Sequence, residues 1–139
     1  MSEDTTVKLF GELPLDRRLL LGLEAIGIDE PTAVQAEMIP AALEGVDLRV
    51  RAETGTGKTL AYLLPLAQRL LATPPARDAG TLALILVPTR ELARQVLKHA
   101  RALLDKTGLQ VQAVTGGADF KYQRSVFRRN PEIVVATPG

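Results

Sequence analysis

Ala52-Glu53-Thr54-Gly55-Thr56-Gly57-Lys58-Thr59 is the stretch that decides the fold. Its glycines let the backbone close tightly round a polyphosphate, with successive N–H groups turned inward as a nest. A helix beginning at Lys58 adds roughly half a positive charge at the same point. Lys58 is placed to reach the β- and γ-phosphates, and Thr59 to set its hydroxyl on Mg²⁺. The strict pattern has glycine six residues before the lysine, where this chain has Ala52. Leu48 to Ala52 reads as a strand running into the loop, and Lys58 to Leu71 as an apolar helix leaving it. That context favours a nucleoside triphosphate site over a Gly/Thr-rich turn matching by chance.

Outward from the loop, strands and helices alternate, which predicts an α/β fold: a parallel sheet with helices on its faces. Leu15 to Ile26 is helical and closed by Gly27, and a second helix is expected from Ala33 to Glu44, kinked or divided by Pro40. Pro65 predicts a bend in the helix after the loop, and Ala72 to Gly80, with Pro74-Pro75, reads as a surface linker. Leu82 to Val87 is almost continuously apolar, as for a strand buried on both faces. Thr89 can cap a helix from Arg90 to Lys106. Gln110 to Thr115 is a third strand ending in Gly116-Gly117, Asp119 to Arg128 a polar helix, and Ile133 to Ala136 a fourth strand ending in Thr137-Pro138-Gly139. Four strands thus run into loops of Gly, Pro, Thr or Arg, at the carboxyl ends where open parallel sheets bind ligands. Arg49 and Arg51 fit badly, because they alternate along a strand that should be buried.

Composition narrows the class. The 139 residues are one ordinary domain in size, 46% apolar and 24% charged, as in soluble globular proteins. A net charge of +1 means that any nucleic-acid surface must be local. The absence of cysteine excludes disulfides and thiolate metal sites and fits a cytoplasmic protein. The acidic start, without a following apolar run, argues against a secretory signal, and no apolar stretch is long enough to span a bilayer.

Assembled, these residues resemble the front part of a DEAD-box ATP-dependent RNA helicase of bacterial type. Ala52 to Thr59 is similar to that family's phosphate loop, with Glu53 and Thr56 where Gln and Ser are frequent. Pro88-Thr89-Arg90-Glu91-Leu92-Ala93 resembles its motif Ia throughout, Gly116-Gly117 its glycine doublet, and Thr137-Pro138-Gly139 the start of its motif Ib. Gly27 to Gln35 resembles the Q motif, with Ile28 in place of an aromatic, and Phe10 stands 17 residues before Gly27, the family's spacing for an isolated aromatic. The likeness covers residues 8 to 139: a Q-motif region at 8–45 and a phosphate-loop core at 46–139, together a partial RecA-like domain.

The resemblance implies ATP and Mg²⁺ as cofactors and RNA as a partner held by its backbone without sequence preference. It assigns ATP contacts to Phe10, Gln35 and the octet Ala52, Glu53, Thr54, Gly55, Thr56, Gly57, Lys58 and Thr59, the last two in the catalytic role. It assigns RNA contacts to Pro88, Thr89, Arg90, Gly116, Gly117, Thr137, Pro138 and Gly139. Local readings stand beside several of these. Thr32-x-x-Gln35 fits a capping box, whereas the family role reads adenine through the carboxamide. Phe10 by itself is a core aromatic, and Arg90 a solvated first-turn arginine. Lys121, Arg124, Arg128 and Arg129 add positive charge on a helix face that is ordinarily just solvated. His99, the lone histidine, receives no role.

The Asp-Glu-Ala-Asp and Ser-Ala-Thr motifs and a second RecA-like domain are absent from these residues, so they read as a piece of a helicase with no turnover of their own. In the family, the strands carrying those two motifs lie between the phosphate-loop strand and the strand before motif Ia. Buried unpaired backbone groups cost about 1–3 kcal/mol each, so the gap is expected to be filled by another copy, by re-pairing of the sheet or by further chain. Two rivals remain open: a small-molecule P-loop kinase, and a non-enzymatic nucleotide- or RNA-binding module.

Overall fold

The computed structural model describes residues 7–55, 57–73, 79–117 and 119–139. Two compact units form, Met1–Ala72 and Thr73–Gly139. The division falls at the start of the expected Ala72–Gly80 linker, whose residues 74–78 lie outside the described ones.

The first unit is helical. After a 3-10 turn at Phe10–Glu12 come α1 (Arg17–Ala25), α2 (Ala33–Leu43) and α3 (Lys58–Ala72). Asp16 caps α1, its carboxylate accepting the Arg18 N–H at 2.9 Å. At the other end, Ile28 N–H reaches the Leu23 carbonyl and Gly27 N–H that of Glu24, a Schellman closure. Leu19 and Leu23, one turn apart, bury one face of α1. Helices α1 and α2 both pack on α3, which contributes fully buried Ala61, Leu63, Leu64 and Ala67. Neither proline divides its helix: Pro40 lies inside α2 and Pro65 inside α3. Each removes one backbone donor, and the neighbouring Ile39, Leu63 and Leu64 are fully buried.

The expected strand at Leu48–Ala52 does not form. Residues 46–53 carry no regular structure, and Val46, Leu48 and Val50 are 52%, 41% and 40% exposed. A strand is defined by its ladder, and no described strand pairs with this segment. Arg49 and Arg51 are exposed too, which resolves the conflict their presence raised.

The second unit is a three-stranded parallel sheet of β1 (Ala83–Leu86), β2 (Val111–Val114) and β3 (Ile133–Ala136), in the order β1-β3-β2. Helix α4 (Arg90–Leu104) links β1 to β2 and packs on β2 and β3, while α5 (Phe120–Arg128) links β2 to β3 and packs on β2. Central β3 is buried at Ile133, Val134 and Val135. Edge strand β1 departs from the expectation of two covered faces. Ile85 is buried, but Leu84 and Leu86 are 61% and 63% exposed, so the face they share is open. Leu86 and Val114 both register on Ala136, so the three strands end level. The turns that follow them share one rim.

Candidate functional site

In the first unit the phosphate loop opens α3. Gly55 and Gly57 sit at φ +84° and +86°, backbone that L side chains rarely adopt. The Lys58 ammonium donates to the Ala52 carbonyl at 2.8 Å, so the lysine folds back across the loop to its first residue. Thr56 lies outside the described residues. Thr54, Gly55 and Lys58 are exposed, and Thr59 is half-buried. One turn on, burial pushes the Tyr62 phenol above its ordinary pKa, an effect opposed by its hydrogen bond with the Thr59 side chain.

Gln35 ties the neighbouring helix to this loop. Thr32 N–H donates to Gln35 Oε1 at 2.9 Å and Gln35 N–H to Thr32 Oγ1 at 3.4 Å, which is the capping box. The carboxamide Nε2 then donates to the Gly57 carbonyl at 3.0 Å. That carbonyl also accepts Ala61 N–H at 3.2 Å, filling both its lone pairs. Gln35 is 2% exposed and Phe10 3%, so both side chains face the interior. A groove of about 750 Å³ runs between α2 and residues 48–53, with Met38, Ala41 and Val50 in its wall. Its outline was invisible in the sequence, because it follows from the missing ladder.

In the second unit the level strand ends bring together residues far apart in the chain. Pro88, Thr89, Arg90, Gly116, Thr137, Pro138 and Gly139 enclose a space of about 330 Å³. Thr89 Oγ1 accepts Leu92 N–H at 3.1 Å and caps α4, whose N-terminus faces the rim. The guanidinium of Arg90 lies over Gly117: a Cβ built on that glycine would fall 2.9–3.1 Å from its atoms. A Cβ on Gly116 would meet the Gly139 carbonyl oxygen at 2.8 Å. Gly116 N–H reaches Thr137 Oγ1 at 3.3 Å, joining two of the turns. An arginine, two threonine hydroxyls and a helix N-terminus round a space that no acid lines can receive an anionic group. One contact escaped the sequence reading: Gln123 Nε2 donates to the Thr115 carbonyl at 2.8 Å and pins α5 to the end of β2. Nothing in the periodicity of α5 singles Gln123 out. Among the described residues no cluster of His, Asp or Glu could hold a metal, and no helix is long and apolar enough to cross a membrane.

A phosphate loop on a helix N-terminus, with level parallel strand ends carrying a Thr-Arg-Gly rim, defines a P-loop α/β protein of the RecA-like class. The chain belongs to the DEAD/DEAH box helicase family, whose profile matches residues 32–139. It is 50% identical over 134 residues to the ATP-dependent RNA helicase SrmB of Escherichia coli (strain K12), covering 96% of this chain and 30% of that protein. SrmB of Haemophilus influenzae is 45% identical over 130 residues, covering 94% of this chain and again 30% of the relative. Among solved structures, that of the RNA-helicase Prp28 from Chaetomium thermophilum bound to ADP matches with a TM-score of 0.86 at 42% identity, over 100% of this chain and 34% of that one. The chain therefore spans about a third of the length of these relatives.

Proposed function

We propose that these residues are the ATP-binding part, and one portion of the RNA-binding surface, of an ATP-dependent RNA helicase acting in the cytoplasm. Its whole-protein activity is the separation or remodelling of RNA duplexes coupled to ATP hydrolysis. The observation that carries the reading is the rim, where Arg90 lies over Gly117 and Thr137 binds Gly116, residues from three strand ends. Such a surface suits a sugar–phosphate backbone and reads no base edge.

The loop suits a triphosphate through its two positive-φ glycines and the α3 N-terminus. Lys58 would leave the Ala52 carbonyl for the β- and γ-phosphates, and Gln35 would turn its carboxamide to adenine. Phe10 would need the 3-10 turn to open before it could stack on the base. For Mg²⁺ the donor set fits only in part, since Thr59 supplies a hydroxyl and a carboxylate has to come from beyond these residues. Lys58 and Thr59 are thus half of a catalytic site. Residues 1–139 bind nucleotide and RNA weakly and release no phosphate.

Phosphate release, with and without RNA, tests both parts of the reading. The whole protein is expected to show RNA-stimulated release that Lys58→Ala abolishes, while residues 1–139 show none. RNA-stimulated release by residues 1–139 that Lys58→Ala removes would overturn the claim of half a site. RNA affinity of the whole protein unchanged by Arg90→Ala would remove the rim from the RNA path.

A further inference from the structure

Helix α5 and its C-cap hold Lys121, Arg124, Arg128 and Arg129 with no acid between them, in a chain whose formal net charge is only +1. The rest of the chain is therefore net acidic, and the charge of α5 is locally uncompensated within the helix. The fold decides which way that charge points. Val126 is 2% exposed and Gln123 is tied to β2, so this side of α5 is committed to the sheet. Lys121, Arg124 and Arg128, spaced i, i+3, i+7, form a ridge on the opposite side, and all three are exposed. Tyr122 and Phe127 lie on the two borders between this ridge and the sheet-facing side, 58% and 53% exposed.

Solvated charge alone would explain the cations but not two large aromatics left in water beside them. Cations interleaved with exposed rings are what an unpaired nucleic-acid strand needs, the cations for phosphates and the rings for base faces. Position agrees: α5 begins just after Gly117, on the rim where Arg90 lies. A membrane surface fits less well, because the apolar side of this nine-residue helix already faces the sheet. We infer that the outer face of α5 is a second RNA-binding surface, which takes single-stranded RNA leaving the strand-end rim and holds it through Lys121, Arg124 and Arg128 with stacking on Tyr122 and Phe127. This rests on the RNA-binding reading of the rim.

The test is fluorescence anisotropy of a labelled oligouridylate with the whole protein over a salt series. Lys121→Gln with Arg128→Gln is expected to weaken binding on the order of tenfold and to reduce the salt slope by about 0.7 per cation removed. Tyr122→Ala with Phe127→Ala is expected to weaken binding by about tenfold or more while leaving the slope unchanged. Circular dichroism and urea midpoints check the fold, and the cation pair, being fully on the surface, serves if the aromatic pair fails to fold. Wild-type affinity and slope in the cation variant, with binding still weakened by Arg90→Ala, would overturn the inference and leave the rim intact. Weakening by the α5 variants but not by Arg90→Ala would overturn the path from the rim, leaving α5 as an RNA contact reached by another route. Binding to phosphatidylserine vesicles, but not to RNA, would overturn it in favour of a membrane face.

Discussion

The carboxamide of Gln35 closes the cap of α2 with its oxygen and holds the carbonyl of Gly57 with its nitrogen, at 2.9 and 3.0 Å. One side chain thus serves as the end of one helix and the brace of the loop that opens another. No Cβ fits at Gly57, because it would press on that same nitrogen.

Gln35→Ala leaves the Thr32 N–H without its acceptor and the Gly57 carbonyl without one donor. Urea unfolding of residues 1–139 should show a loss of about 1–3 kcal/mol. Gln35→Glu keeps the oxygen but sets a second acceptor against the Gly57 carbonyl, so it should recover only part. Gly57→Ala combines φ +86° with that crowding, and a loss of about 1–3 kcal/mol is expected.

Lys58→Ala separates stability from binding. Its ammonium contact with Ala52 is exposed, so the unfolding midpoint should move within about 0.5 kcal/mol. Calorimetric titration with ADP should show affinity reduced by about tenfold or more, which corresponds to about 1.4 kcal/mol.

Thr89→Ala removes the acceptor of Leu92 N–H and should cost about 1 kcal/mol. Thr89→Ser should restore both stability and RNA affinity. Rescue of stability alone would mean that the threonine methyl matters at the rim.

Asp16 gives a pH signature. The side-chain hydrogen bond from Arg18, with the Arg18 backbone N–H second, holds its carboxyl at about 2 against an ordinary 3.8. A depressed carboxylate stabilises the folded state above its unfolded pKa and loses that contribution as pH falls through its folded pKa. Asp16→Ala should therefore cost about 1 kcal/mol at neutral pH, with the difference from wild type closing between pH 3.8 and about 2. A constant difference over that window would show that the charge is irrelevant.

Local signals proved legible wherever the partner lay nearby in sequence. The cap of α2 was readable in Thr32-x-x-Gln35, and β3 in Ile133–Ala136, because each is determined within a few residues. The rim was legible as types and order, but not as contacts, since the Arg90–Gly117 and Gly116–Thr137 approaches depend on strand register. Leu48–Ala52 failed for the opposite reason: its alternation is that of a strand, but a strand exists only with neighbours. Leu84 and Leu86 failed similarly, since an apolar run records what a face can bury and not whether anything covers it.

The open stretch at 46–53 bears on how these residues behave at high concentration. Exposed Val46, Leu48 and Val50 form a short β-prone run of the kind that recruits its own copies edge to edge. Arg49 and Arg51 interrupt that run with like charges, which would face one another across any in-register stack. The two arginines that looked misplaced in a buried strand are thus placed as gatekeepers would be, and replacing them with valine is expected to lower the concentration at which residues 1–139 begin to precipitate.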